Sequence, residues 1–161
     1  MAIKVGDRVP SGKFTVMTGE GPKPMTTDDL FKGKKVVLFA VPGAFTPTCH
    51  RNHMPGFVTN FDAIKSKGID TIAVTAVNDI FVLDAWAKAS NASGKIEALA
   101  DGSGAFAKAI GLDNDMSAGG MGVRSKRYAM IVDDGVVKTL NIEDAPGKAD
   151  ISGAENLLKG L

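Results

Sequence analysis

The sequence predicts an α/β chain, a central mixed sheet with helices on both faces, forming one domain over residues 1–161. Three observations predict it. The run Val36-Val37-Leu38-Phe39-Ala40-Val41 is apolar at every position, as in a strand covered on both faces. Helix-like and strand-like segments alternate after it, the strands being a largely β-branched and apolar run at 69–77 and a short run at 97–100. Residues 128–132 and 136–140 then flank Asp133-Asp134-Gly135, whose Asp-Gly step marks a hairpin and adds antiparallel strands. At 161 residues with 44% hydrophobic content, the chain can bury one full core and is too short to favour two domains.

Each element carries its own signal. Residues 14–17 alternate weakly. Thr26-Thr27-Asp28-Asp29 precedes Leu30-Phe31 as capping residues precede a short helix, and Gly33 ends it. Lys34-Lys35 open the central strand. From Gly56 the residues Phe57, Phe61 and Ile64 recur at helical spacing until Gly68 supplies a stop. Asn78-Asp79 cap a helix carrying Phe81, Val82, Leu83, Trp86 and Ala89, closed by Gly94. Residues 105–110 read as a short helix ended by Gly111. A long glycine-rich loop is expected from Asp113 through Ala118-Gly119-Gly120 to Gly122. The tail, from Ser152 through Ala154, Leu157, Leu158 and Leu161, has the spacing of a terminal helix with Ser152 as its cap. Together these elements describe a sandwich of thioredoxin type.

Charge excludes several function classes. Nineteen Lys plus Arg against eighteen Asp plus Glu leave +1, too little field to attract nucleic acid or an anionic membrane. The N-terminus meets Lys4 and Asp7 before any apolar run of signal length, and no stretch approaches the ~20 apolar residues of a membrane span. A soluble, cytoplasmic protein is expected. The single cysteine, Cys49, has no partner for an intramolecular disulfide, which fits a reducing compartment and directs attention to the reactivity of the thiol itself.

Directly after the central strand comes Pro42-Gly43-Ala44-Phe45-Thr46-Pro47-Thr48-Cys49-His50, so the cysteine lies where a strand passes into the next helix. In a first helical turn, unpaired amide groups and the positive end of the helix dipole favour the thiolate, which is the nucleophile. Thr46, three residues earlier, can place its hydroxyl beside the sulfur as a hydrogen-bond donor or acceptor. Pro42 and Pro47 stiffen the loop and remove competing amide donors.

Pro42, Thr46 and Cys49 reproduce the P-x-x-x-T-x-x-C signature, and the chain therefore resembles the peroxiredoxins. Further segments narrow the resemblance to the atypical type II (peroxiredoxin-V) subgroup: His53-Met54-Pro55-Gly56-Phe57, Val77-Asn78-Asp79, and Gly122-Val123-Arg124-Ser125-Lys126-Arg127-Tyr128. It runs essentially end to end. The resemblance implies that Cys49 attacks hydrogen peroxide or a small organic hydroperoxide and becomes a sulfenic acid. It also implies that Arg124 holds the thiolate and the developing charge, that Thr46 orients the peroxide, and that Pro42 shields the sulfur. No cofactor or metal is implied, and a homodimer packed near the active site, with Phe45 able to serve it, is.

Two departures qualify the resemblance. With no second cysteine there is no internal resolving thiol, neither at 72–77 nor at 149–152, so an external thiol must reduce Cys49 through a mixed disulfide. The resemblance suggests glutathione with glutaredoxin ahead of thioredoxin. His50 stands where relatives commonly have serine, and its influence on Cys49 is open. Other readings weigh less. Cys49, His50 and His53 have a Cys-His-x-x-His spacing, but adjacent helical residues do not face one metal ion. A Cys-His hydrolase lacks an orienting Asn or Asp motif. Trp86, the sole tryptophan, reads as packing. The rival from another class is a thiol switch in which oxidation of Cys49 alters partner binding without turnover.

Overall fold

The computed structural model describes residues 2–145 and 147–161, the side chain of Cys49 excepted. Its centre is a seven-stranded mixed sheet built from β1 (Lys13–Thr18), β2 (Gly21–Thr26), β3 (Lys35–Ala40), β4 (Thr71–Ala76), β5 (Glu97–Ala100), β8 (Tyr128–Asp133) and β9 (Val136–Ile142), in the order β2-β1-β5-β4-β3-β8-β9. The strands β3, β4 and β5 run parallel, whereas β8 joins β3 antiparallel with Ala40 opposite Tyr128. The arrangement is thioredoxin-like.

Both faces of β3 are covered, as its unbroken apolarity requires. Val37, Phe39 and Val41 point to one core with Met54, Phe57, Ile64, Leu83, Trp86 and Leu157, while Val36, Leu38 and Ala40 point to the other with Phe14, Phe31, Leu99 and Phe106. The first core is roofed by α2 (Met54–Thr59), α3 (Phe61–Lys65), α4 (Ile80–Ala89) and α6 (Ala154–Leu158); the second by α1 (Thr27–Phe31) and α5 (Ala105–Ala109). Among the described residues no helix is long and apolar enough to cross a membrane.

Several sequence expectations hold. Thr26 caps α1 through a capping box with Asp29, and Asp79 caps α4 by accepting from the Val82 amide. In the β8–β9 hairpin Asp134 and Gly135 take φ of 48° and 82°, the mirror-image turn that suits the strand twist.

The sequence pattern offers no signal for β2, whose Pro22 and Pro24 are tolerated because β2 is an edge whose missing donors cost no ladder bonds. Three expectations are corrected. The glycine-rich segment is not a plain loop: β6 (Asp113–Asp115) pairs antiparallel with β7 (Val123–Ser125), and a 3₁₀ turn (Ser117–Gly119) lies between them. The helix expected from Gly56 begins nearer residue 47, passes through a π-helical segment (Cys49–His53), and yields to α3 at Asn60. Gly153, not Ser152, is the N-cap of α6; the Ser152 hydroxyl is committed elsewhere.

Candidate active site

The site forms at the carboxyl end of β3, where the chain leaves the sheet and turns into the helix at 47–59. Ladder bonding extends one residue past the strand, from the Val41 amide to the Thr75 carbonyl. The loop is then tied down from two sides. The Ala44 amide donates to Asn78 Oδ1 at 2.9 Å, and the Thr46 amide and hydroxyl both donate to the Gly43 carbonyl, at 3.3 and 2.6 Å. Between them Phe45 takes φ of 64°, a left-handed conformation that costs a bulky residue energy, and its ring is exposed.

The Thr46 carbonyl accepts the first helical hydrogen bond, from the His50 amide, so Cys49 lies in the first turn of the helix. Pro47, at the start of that turn, has no N–H to leave unpaired. The π segment spans Cys49–His53; such wider turns recur at functional sites because they displace one residue from regular packing. The expected surroundings of the Cys49 sulfur lie outside the described residues.

Arg124 reaches this loop from β7. Its Nε donates to the Met121 carbonyl at 2.8 Å, and Nη1 donates to the carbonyls of Pro42 at 3.4 Å and Val77 at 3.3 Å. Three of its five N–H groups are thus spent on backbone, and among the described residues the two on Nη2 meet no acceptor, so they can face a ligand. The ion pairs among the described residues are Lys4–Asp7, Lys23–Glu20 and Lys88–Asp84, so no carboxylate neutralises Arg124. Gly122, with φ of 69°, permits the turn that delivers Arg124. Gly43 lies where Arg124 and Thr46 converge: a Cβ there would stand 3.0 Å from Arg124 Nη1 and 3.2 Å from Thr46 Cγ2. Pro42, Thr46 and Arg124 are therefore brought together around one short loop.

Two histidines of the helix have defined roles. His50 Nδ1 accepts from the indole N–H of fully buried Trp86 at 3.1 Å, and its ring lies 5.7 Å from that of Phe45. His53, one turn after Cys49, is buried against Phe39 and Phe57. Its Nε2 lies 2.9 Å from the Ser152 carbonyl and its Nδ1 3.0 Å from Arg127 Nη1. Since arginine can only donate, Nδ1 is the acceptor and Nε2 carries the proton. Burial, reinforced by the Arg127 charge, lowers its pKa to about 3. With both ring nitrogens engaged, His53 has no free lone pair for a metal ion.

Sequence reasoning assigns Arg127 no role of its own, yet it is 2% exposed. A signal existed. Residues 127, 129 and 131 share one strand face, and Ala129 and Ile131 belong to the core beneath the helix at 47–59. An arginine in that register points under the helix.

The chain is similar to known proteins along nearly its whole length. The Redoxin family matches residues 4–158. Peroxiredoxin-2C of Oryza sativa subsp. japonica is 46% identical over 160 residues, covering 99% of this chain and 98% of that protein. Among solved structures, reduced Prx3 of Vibrio vulnificus in complex with H2O2 is 50% identical with a TM-score of 0.93, covering 98% of each chain. Peroxiredoxin 5 of Alvinella pompejana is 36% identical with a TM-score of 0.85, covering 98% of this chain and 96% of that one.

Proposed function

The chain belongs to the redoxin family as a one-cysteine, type II peroxiredoxin, a thiol-dependent peroxidase, and from that premise we propose that Cys49 reduces hydrogen peroxide and small organic hydroperoxides through a sulfenic acid. The observation that carries the reading is the convergence of Arg124 and Thr46 on Gly43, at the start of the helix whose first turn holds Cys49.

The thiolate forms a bond to the terminal peroxide oxygen, and its electron pair expels the second oxygen as alkoxide or hydroxide. That leaving group takes a proton from solvent. Sulfur is oxidised by two electrons and the peroxide reduced by two, leaving Cys49–SOH and water or alcohol. Thr46 spends its hydroxyl proton on Gly43, so its oxygen accepts from the peroxide O–H. The Nη2 donors of Arg124 meet the charge that grows on both oxygens during displacement, with first-turn amides assisting. Arg127, buried beside the same helix, adds a second positive charge that favours the thiolate. Pro42, buried and carrying a carbonyl that holds Arg124, walls the loop against water.

An external thiol then attacks the sulfenic sulfur, releasing water, and a second thiol cleaves the mixed disulfide. Glutathione with glutaredoxin is the reductant we favour, ahead of thioredoxin, because the chain offers no second cysteine. We place the protein in the cytoplasm as one domain. We also propose a homodimer packed through exposed Phe45, Phe81 and Val82, on segments that the Ala44–Asn78 bond holds side by side. The test is NADPH consumption with hydrogen peroxide, comparing glutathione, glutaredoxin and glutathione reductase with thioredoxin and its reductase. Turnover in the first system supports the reading. Oxidation of Cys49 without turnover in either would make the chain a thiol switch.

A further inference from the structure

Four buried polar groups beneath the active-site helix form a chain of hydrogen bonds with one direction. Arg127 Nη1 donates to His53 Nδ1 at 3.0 Å, His53 Nε2 donates to the Ser152 carbonyl at 2.9 Å, and the Ser152 amide and hydroxyl each donate to Glu143 Oε2 at 2.6 Å. Arg127, His53, Ser152 and Glu143 are all at least nine-tenths buried. They come from four places in the chain: the residue before β8, the end of the π segment, the residue before the cap of α6, and the residue after β9.

Burying such groups is costly unless every donor finds its acceptor, and here the sequence of donors ends on a carboxylate that accepts two. The fold is shaped to allow it. The turn that carries Ser152 is completed by Gly153, where a Cβ would stand 2.9 Å from the Ala149 carbonyl. A protonated imidazole would present N–H to N–H at Arg127, so the low pKa of His53, about 3, keeps the acceptor available. Packing alone would not need this order, since Phe39 and Phe57 would accept an apolar side chain at position 53.

We propose that His53 is a positioning residue: the Glu143–Ser152–His53 chain aims the Arg127 guanidinium beneath the turn that holds Cys49, so that the C-terminal segment sets the reactivity of the cysteine. The proposal rests on the peroxidase reading only for its consequence in turnover. Its direct consequence is on the thiolate itself.

The test is the pH dependence of Cys49 alkylation by iodoacetamide, which reads the thiolate without peroxide, in wild type, His53→Leu and Glu143→Gln. Both variants keep the side-chain volume roughly unchanged, and Glu143→Gln retains an oxygen acceptor for Ser152. Loss of one charge-assisted hydrogen bond predicts an acid limb moved up by about one pH unit in His53→Leu, with about tenfold slower alkylation at low pH. Glu143→Gln shifts in the same direction by less. If His53→Leu does not fold, Glu143→Gln decides. An unmoved limb in the folded variants, with only the thermal midpoint lowered, overturns the proposal. Wild-type protein that shows the limb but consumes no peroxide would refute the peroxidase reading and leave this test intact.

Discussion

Replacing Gly43 with alanine probes the site without touching a group that reacts. Gly43 needs no special φ, so the effect is one of space alone. The new Cβ would stand 3.0 Å from Arg124 Nη1, 3.2 Å from Thr46 Cγ2 and 3.5 Å from Met121 Cε. Restoring ordinary contact separations of ~3.5 Å requires the guanidinium to retreat by about half an ångström. Arg124 cannot do so freely, because its Nε is held by Met121 and its Nη1 bonds to Pro42 and Val77 are already long, at 3.4 and 3.3 Å. Both Nη1 bonds would then leave the hydrogen-bonding range. Bonds from a charged donor contribute about 1.5–3 kcal/mol each at good geometry, so two weak ones together amount to about 1.5 kcal/mol, or roughly tenfold in rate. The assay is stopped-flow oxidation by hydrogen peroxide, followed by the fluorescence of Trp86, the only tryptophan, which bonds to the residue after Cys49. Urea unfolding run alongside should show a loss of about 1.5 kcal/mol. Oxidation at the wild-type rate would refute the reasoning that Arg124 is held in place across Gly43.

Other consequences are as specific. Thr46→Val keeps the shape but removes both the donor to Gly43 and the acceptor for peroxide; oxidation should slow at least tenfold by stopped flow, whereas Thr46→Ser should retain most of the rate. Gly153→Ala forces a Cβ to 2.9 Å from a backbone carbonyl, and should cost about 1–3 kcal/mol in urea unfolding. His53 makes stability depend on pH: its pKa falls from 6.5 to about 3 on folding, so between those values the unfolded chain binds a proton that the native state does not. Its contribution is complete above pH 6.5 and is lost as pH falls toward 3, at up to ~1.4 kcal/mol per unit. His53→Gln should flatten that slope in urea titrations. Asp101, whose carboxyl burial holds above its ordinary range, opposes the slope in both proteins, so the comparison isolates His53.

The parts of the fold legible in the sequence are those whose signal is local or one-sided. The central strand announces itself because both faces are buried, and the Asp134-Gly135 turn because few other residues accept its backbone. The strand β2 hides behind Pro22 and Pro24, whose tolerance depends on being at an edge, a property of the assembled sheet. Likewise β6 and β7 are three residues each, and pairing Asn114 with Arg124 is a tertiary fact. At the site, Pro42, Thr46, Cys49 and Arg124 were legible as a pattern, and the structure adds how the first two and Arg124 meet at Gly43. Arg127 and Ser152 were not, because a buried arginine and a helix-capping serine are distinguished from ordinary ones only by partners that arrive from elsewhere in the chain. Ser152 has the spacing of a cap and serves Glu143 instead.

The most direct test of the account is to treat the reduced protein with one equivalent of hydrogen peroxide, trap with dimedone, and locate the adduct by mass spectrometry in wild type and Cys49→Ser. The expected result is consumption of the peroxide with dimedone on Cys49, and neither in the variant. Peroxide consumption that survives in Cys49→Ser, or a wild-type Cys49 left unmodified, would contradict it.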